Sequence, residues 1–124
     1  MTVTRVTPIL RMFNYAKAVE FYVNWLGFTI NWEHRFEPTA PLYMEVAREG
    51  ITLHLTEHHG DATPGSRVSV ECTGLKEFHQ QLLEKNYPYN RPGLTETFYG
   101  TWCVEVIDPF GNRLTFNEPK KQGT

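Results

Sequence analysis

The chain has 124 residues, of which 40% are hydrophobic and 21% charged, and its formal net charge at pH 7 is -2. A chain of this length can bury a core of its own without disulfide bonds or structural metal. Its largest basic cluster is only the Lys120-Lys121 pair, and no apolar run approaches the ~20 residues of a membrane-spanning helix. We therefore expect neither nucleic acid nor membrane as a partner. The two cysteines, Cys72 and Cys103, lie in strand-like runs and indicate reduced thiols in a cytoplasmic protein.

The chain begins with a predicted strand and a predicted helix. Residues 5–12 are typical of a strand, and Pro8 requires an edge position or a bulge because proline has no N–H to donate to the ladder. Residues 15–25 carry apolar side chains near helical spacing. Asn14 fits the N-cap of this helix, and Gly27 fits the position just past its end.

Three further strands complete the first half. They are predicted at residues 28–34, 42–47 and 51–57. A turn at 48–50 joins the last two into a hairpin. Residues 58–66 are rich in turn-forming residues and predict a linker.

The second half repeats this order at an offset of about 60 residues. It comprises a strand at 67–72, a helix at about 75–85, an irregular stretch, a strand at 101–107, a turn at 108–112 and a strand at 113–118. We expect a single domain over residues 1–124, with module 1 at about 5–57, the linker at 58–66, module 2 at about 67–118 and a tail at 119–124.

The strands have two faces. In the run 51–57, Leu53 and Leu55 alternate with polar side chains that include His54. In the run 101–107, Val104 and Val106 alternate with polar side chains in the same way. Such alternation places one apolar face under the helices and leaves a polar face, which either meets solvent or lines a binding site.

Three motifs resemble the bleomycin-resistance proteins of the glyoxalase/bleomycin resistance/dioxygenase (vicinal oxygen chelate) superfamily. They are the helix run 18–22 followed by Leu-Gly-Phe at 26–28, the strand run 51–55, and the run from Tyr99-Gly100 to Asp-Pro-Phe-Gly-Asn at 108–112. The resemblance covers roughly residues 5–118. It implies an α+β fold of two tandem βαβββ modules that form a curved mixed-sheet cup. It also implies a homodimer, often with exchanged N-terminal strands, and ligand crevices at the subunit interface.

The resemblance also identifies the four positions that hold a divalent ion in the metalloenzymes of this superfamily. In this sequence they are Thr7, His54, Arg67 and Thr115. Divalent transition metals prefer imidazole, thiolate or carboxylate ligands, and a guanidinium repels a cation. Only His54 could serve, so we expect no metal, no cofactor and no catalytic residue set of the metalloenzyme kind.

The expected function is therefore metal-independent binding of an aromatic or amphipathic small molecule, with bleomycin-family antibiotics among the candidates. In bleomycin-resistance proteins, aromatic side chains stack on the flat heteroaromatic part of the drug and acidic groups face its cationic tail. The resemblance and the strand alternation together give the expected ligand-binding residues: Trp32, Phe36, His54, Arg67, Phe98, Tyr99, Trp102 and Glu105. Each aromatic could instead fill the core, and Arg67 would oppose a cation.

Other interpretations remain open at this stage. The same cup could serve an enzyme, either a glyoxalase-like lyase or isomerase with an unusual metal set or an enzyme with Glu71 or Glu105 as base. The adjacent His58 and His59 are interpreted as a solvated pair in the linker. A Cys103–His54 nucleophile and base is disfavoured, because nothing in the spacing supplies an oxyanion hole.

Overall fold

The computed structural model describes residues 1–120, which form two compact units. The first comprises Met1–Ser66 and the turn Asp108–Asn112. The second comprises Arg67–Ile107 and residues 113–120. The expected single domain over 1–124 stays a prediction, and positions 121–124 of the expected tail lie outside the described residues.

The first unit contains one four-stranded sheet and one helical segment. In chain order its elements are β1 (Ile9–Arg11), α1 (Tyr15–Ala18) continuing as a π-helix (Val19–Trp25), β2 (Thr29–His34), β3 (Tyr43–Arg48) and β4 (Ile51–Thr56). The strand order is β1-β4-β3-β2, with β1 parallel to β4 and the other pairs antiparallel. β1 is therefore an edge strand, as Pro8 predicts, although it is shorter than the expected 5–12.

The second unit repeats this topology. Its elements are β5 (Arg67–Glu71), α2 (Leu75–Glu84), β6 (Thr95–Glu96), β7 (Thr101–Ile107) and β8 (Arg113–Pro119). The strand order is β5-β8-β7-β6, with β5 parallel to β8. The predicted α+β fold of two βαβββ modules is confirmed, while the two-residue strand β6 was not predicted from the sequence. No helix within residues 1–120 has both the length and the apolar character to cross a membrane.

The ends of the first helical segment follow the predicted capping chemistry. The side chain of Asn14 accepts a hydrogen bond from the Lys17 amide at 3.0 Å, which satisfies a free N–H of the first turn. Gly27 follows the last helical residues with φ +82°, a left-handed conformation that glycine adopts without strain. The π-helical form of the second part, marked by the bond from the Leu26 amide to the Phe21 carbonyl at 2.9 Å, was not predicted.

One face of the first sheet packs under this helix to form the core of the unit. Met44 and Val46 of β3, with Leu53 and Leu55 of β4, are fully buried. Helical Phe21, Tyr22 and Trp25 are buried as well. Burying a large apolar side chain stabilises a fold by about 1.5–3 kcal/mol. The opposite face of the same strands is left to the polar residues.

The turn 108–112 is held in the first unit by a buried polar network. The Asp108 carboxylate accepts hydrogen bonds from the Tyr22 hydroxyl at 2.6 Å, the Phe110 and Asn112 amides at 2.8 Å each, and the Asn112 side chain at 2.9 Å. The Asn112 side chain also donates to the Arg11 carbonyl at 2.8 Å. These bonds explain why the turn uses Asp and Asn at its ends, since each buried polar group there has a partner.

Candidate ligand site on the first sheet

The polar face of the first sheet is centred on a histidine–glutamate pair. Glu45 of β3 lies opposite His54 of β4 in the strand register, and both side chains are largely buried. The His54 Nε2 atom lies 3.0 Å from Glu45 Oε1, and His54 Nδ1 lies 2.7 Å from the Tyr43 hydroxyl. Both ring nitrogens of His54 therefore have hydrogen-bond partners on the neighbouring strand.

Glu45 is ionised by its surroundings. Its carboxylate accepts hydrogen bonds from the Asn31 amide at 2.8 Å, from His54, and from Arg5 at 3.2 Å. The hydrogen bond from Asn31, then that from His54, and the Arg5 charge lower the pKa of Glu45, although burial opposes this shift. A carboxylate in this state only accepts hydrogen bonds, so His54 Nε2 carries the proton of that bond.

Aromatic rings extend the site from His54 towards the outer strand β2. The Trp32 ring lies parallel to the Tyr43 ring, with an interplanar angle of 7° and a centroid distance of 5.8 Å. The Trp32 and His54 rings meet edge to face, with their centroids 5.2 Å apart. Trp32 is 42% exposed and Phe36 is 77% exposed, so large apolar surfaces remain open to a ligand.

These rings border a cavity of about 480 Å³ within the first unit, which is in the size range of small-molecule sites. It is lined by Trp32, His34, Phe36, Tyr43, His58 and Asp61. The sequence-based expectations for Trp32 and Phe36 placed them at one site, and the structure brings them to one cavity. His58, for which we expect solvation together with His59, lines this cavity and is partly exposed, and its ring nitrogen Nδ1 lies 3.0 Å from Thr56 Oγ1.

A carboxylate gives the cavity wall a negative charge. Asp61 is the only Asp or Glu among its lining residues, no Lys or Arg lines it, and Asp61 Oδ2 accepts a hydrogen bond from Thr56 at 2.8 Å. Burial, together with the negative charge of Asp61, raises the pKa of the Tyr43 hydroxyl. The first unit as a whole has five Lys or Arg residues and eight Asp or Glu residues. This balance favours a neutral or cationic ligand.

The second unit has a polar sheet face of different character. Glu105 of β7 forms ion pairs with Arg113 at 2.6 Å and with Arg67 at 3.6 Å. Both ion pairs engage the same carboxylate oxygen, so the structure gives Glu105 a charge-pairing role and offers no separate support for the alternative in which it abstracts a proton. The Thr115 hydroxyl on the same face is buried and has no hydrogen-bond partner within residues 1–120.

The remaining predicted aromatics do not form one cluster. Phe98 is fully exposed, and Tyr99 is 59% exposed with its hydroxyl 3.3 Å from Asn117. The ammonium groups of Lys76 and Lys120 both lie over the Trp102 ring, 4.7 and 4.9 Å from its centroid. Trp102 alternates with Glu105 along β7 and shares the α2 side of the sheet with Val104, so the structure separates it from the polar face.

The thiol of Cys103 is poorly suited to nucleophilic chemistry. Burial and the Glu105 charge raise its pKa, although Arg67 opposes the shift. A thiol with a raised pKa contains less of the reactive thiolate at neutral pH. That Cys103 is no nucleophile stays a prediction.

The four family metal positions do not fit a divalent ion. Thr7 offers a hydroxyl and His54 has no free nitrogen lone pair, because one ring nitrogen faces Glu45 and the other faces Tyr43. In the second unit, Arg67 is cationic and Thr115 is a hydroxyl. In the part of the chain from 1 to 120, no three His, Cys, Asp or Glu side chains are grouped so that they could hold a metal ion.

The sequence reasoning missed the partners of His54. Tyr43 and Glu45 alternate with buried Met44 and Val46 along β3, so the same period-two pattern that identified His54 could have found them. Asn31 on β2 carries no comparable pattern. Its role depends on the bulge between Ile30 and Trp32 in the β2–β3 register.

Comparisons with known proteins agree with this fold. A family model described as glyoxalase superfamily protein matches residues 1–123, and no curated protein sequence matches the chain. The antibiotic binding protein TnmS3 from Streptomyces sp. CB03234 superposes with a TM-score of 0.75 at 20% identity, over 97% of this chain and 99% of that one. A bleomycin-binding protein solved with bleomycin gives a TM-score of 0.71 at 21% identity, over 95% of this chain and 100% of that one. A bleomycin resistance determinant encoded on transposon Tn5 gives a TM-score of 0.72 at 18% identity, over 95% of this chain and 99% of that one. At these identities the likeness to solved structures shows a shared fold. Because the family model matches residues 1–123 of its 124 residues, the chain belongs to the glyoxalase superfamily.

Proposed function

We propose that this protein is a metal-independent binding protein that sequesters a planar aromatic or amphipathic small molecule. The observation that carries the proposal is the cavity of about 480 Å³ in which the parallel Trp32 and Tyr43 rings stand beside the Asp61 carboxylate. Exposed ring faces bind flat ligands by stacking, and a carboxylate beside them attracts a cationic substituent. Bleomycin-family antibiotics are candidate ligands, in line with the fold shared with antibiotic-binding and bleomycin-binding proteins.

The metal-independent form of the proposal depends on His54. Metal chemistry needs an open lone pair on the imidazole, and in this protein Glu45 and Tyr43 occupy both ring nitrogens. Binding by stacking and hydrogen bonding requires no proton transfer and no Lewis acid. The site residues therefore support retention of a ligand better than its conversion.

We also propose that the chain forms a homodimer in which a partner subunit closes this cavity. Each sheet has two edge strands, β1 and β2 in the first unit and β5 and β6 in the second, and unpaired edges favour association. Phe36 at the cavity is 77% exposed, a costly state for a large apolar side chain without a cover. Light scattering at micromolar concentration should give twice the chain mass, and the chain mass alone would contradict the dimer.

The remaining predicted ligand residues belong to the second unit, and we retain Arg67, Phe98, Tyr99 and Glu105 as proposed contacts. Trp102 is left out, because it lies on the α2 side of its strand against Lys76. We propose a cytoplasmic location on the two free cysteines alone.

Calorimetric titration with bleomycin tests the proposed function. Trp32→Ala should weaken binding by about 1–3 kcal/mol, which corresponds to a dissociation constant about 5- to 150-fold higher. Phe13→Ala serves as a matched control, since Phe13 is an exposed aromatic of the same unit that packs on Phe110 and Arg11 outside the cavity. Equal losses in both variants, or no binding of bleomycin or any flat aromatic compound to the unchanged protein, would contradict the proposal.

A further inference from the structure

The first unit contains another cavity, which shares no lining residue with the cavity around Trp32. Its volume is about 280 Å³, and its wall consists of the side chains of Arg11, Phe13, Arg35 and Glu57 and the loop segment 39–41. We call it the arginine cavity. Ligand sites for drug-sized molecules have about 300–1,000 Å³, so a cavity of this size fits a small ligand.

The two guanidinium groups of the arginine cavity are held in place by backbone carbonyls. Arg11 Nη1 donates to the His58 carbonyl at 2.8 Å, and the guanidinium carbon lies 4.7 Å from the centroid of the Phe13 ring. Arg35 Nη1 donates to the Ala40 carbonyl at 2.6 Å. Because these contacts orient both groups before a ligand arrives, less side-chain entropy is lost on binding.

Both guanidinium groups keep donors for a ligand. Each has five N–H donors. Arg11 uses one for the His58 carbonyl and one for a long bond of 3.4 Å to the Met12 carbonyl, and Arg35 uses one for the Ala40 carbonyl. Among residues 1–120, the Nη2 groups of Arg11 and Arg35 have no hydrogen-bond partner. These donors are therefore available to an anion.

The carboxylate of Glu57 does not neutralise the arginine cavity. Glu57 Oε1 accepts a hydrogen bond from the Leu42 amide at 3.0 Å and lies 3.9 Å from Arg35 Nη1, too far for a hydrogen bond. The wall thus carries two positive charges and one negative charge. This balance favours a ligand with a single negative charge, in contrast to the cavity around Trp32, where Asp61 is the only Asp or Glu and no Lys or Arg is present.

Apolar surface lies beside these charges. The Phe13 ring is 56% exposed, and Ala40 and Pro41 belong to the same wall. We propose that the arginine cavity binds a small aromatic monocarboxylate, whose carboxylate pairs with Arg11 and Arg35 and whose ring packs against Phe13. Guanidinium forks match the planar carboxylate group and bind it by charge-assisted hydrogen bonds. The inference goes beyond the proposed function, because it concerns a different cavity and a ligand of opposite charge.

Three probes separate charge from ring contact. Benzoate has both the ring and the carboxylate, benzamide has the same ring and shape without the charge, and inorganic phosphate is an anion without a ring. Each is titrated at neutral pH into the isotope-labelled full chain, and binding is followed by the amide NMR signals of Phe13, Thr39 and Ala40 in the cavity wall. We expect benzoate to shift these signals with a dissociation constant about tenfold or more below those of benzamide and phosphate.

Two variants change the charge of the wall in opposite directions. Arg35→Gln removes a guanidinium and should weaken benzoate binding about tenfold or more. Glu57→Gln removes the opposing charge, keeps an oxygen that can accept from the Leu42 amide, and should tighten benzoate binding. Neither variant should alter benzamide binding. Lys17→Gln is the matched control, because Lys17 is exposed in the same unit and does not line the cavity, and its loss should change benzoate binding less than about twofold.

The inference is overturned if benzoate and benzamide bind equally well, if phosphate binds as tightly as benzoate, or if Lys17→Gln weakens benzoate binding as much as Arg35→Gln does. Benzoate might shift the amide signals of Trp32 and Phe36 in place of those of Thr39 and Ala40; that result also contradicts the inference, but it supports the proposed ring site. The dispersion of the amide signals shows whether each variant is folded. If Arg35→Gln does not fold, Glu57→Gln decides the test, and unchanged or weaker benzoate binding in it contradicts the inference.

Discussion

Removal of the Tyr22 hydroxyl should destabilise the first unit measurably. Tyr22 is fully buried, Asp108 is 4% exposed, and the hydroxyl donates to the Asp108 carboxylate at 2.6 Å. A hydrogen bond to a charged acceptor contributes about 1.5–3 kcal/mol. Tyr22→Phe keeps the ring and its packing against Phe21 and Phe28, so the loss should come almost entirely from this bond. We expect the free energy of unfolding to fall by about 2 kcal/mol at neutral pH.

The cost of Tyr22→Phe should depend on pH in a defined direction. Burial raises the pKa of Asp108, while the hydrogen bonds from Tyr22 and Asn112 oppose this shift. A carboxyl whose pKa is raised on folding destabilises the fold above its unfolded value of about 3.9, and this penalty disappears as the pH falls through the folded pKa. The Tyr22 bond stabilises the ionised form, so its loss should cost most at neutral pH and least below the folded pKa of Asp108.

Urea unfolding followed by circular dichroism measures both effects. Tyr15→Phe removes a phenol hydroxyl from an exposed bond to Glu33, and should change the free energy of unfolding by less than about 0.5 kcal/mol. A double-mutant cycle with Asp108→Asn isolates the coupling between Tyr22 and Asp108. The reasoning is refuted if Tyr22→Phe costs no more than the control, or if its cost is the same at neutral and acid pH.

Three further predictions concern the glycine that ends the helix, the metal content and the second unit. Gly27→Ala should lower the free energy of unfolding by about 1–2 kcal/mol, because φ is +82° and a Cβ would collide with Arg48 Nη1. Gly60→Ala should cost less, because Gly60 also has a positive φ but has open space around it. Equal free energies of unfolding for the two variants would contradict the steric part of this prediction. Protein purified without chelator should contain well under one equivalent of zinc, nickel, manganese or iron by elemental analysis, and one equivalent would show this to be wrong. Tyr99→Ala should weaken ligand binding by about 1–3 kcal/mol, whereas Trp102→Ala should lower stability without changing affinity; the opposite result would place Trp102 in the site.

Much of the fold could be predicted because local rules and tertiary packing agree. Alternation located β7 at its observed bounds, and the side-chain cap of Asn14 and the left-handed Gly27 defined the ends of the first helical segment. Strand β6 was missed because two residues, Thr95 and Glu96, show no period. The π-helical continuation was missed because apolar spacing does not distinguish it from an α-helix over two turns.

The site could be predicted only in part, because its chemistry depends on strand register. Trp32 and Phe36 were identified by their distance from the Leu-Gly-Phe motif, and His54 by strand alternation and by the motif run 51–55 that contains it. The structure brings the two aromatics to one cavity. Pairing of His54 with Glu45 depends on which residues face each other across β3 and β4. A shift of one residue would have placed Met44 there and left the imidazole without a partner.

The same register explains why a retained histidine does not retain metal chemistry. An imidazole binds a metal through the lone pair of one nitrogen, while the other nitrogen donates to a carboxylate or carbonyl. In this protein Glu45 accepts the hydrogen bond from Nε2, as such a carboxylate would. The Tyr43 hydroxyl, however, lies 2.7 Å from Nδ1, in the place that a metal ion would have to occupy. Tyr43 therefore prevents metal binding by His54, just as Thr7, Arg67 and Thr115 disfavour a metal at the other three positions. In this protein His54 forms a hydrogen bond with Tyr43, a residue of the cavity wall, in place of a bond to a metal ion.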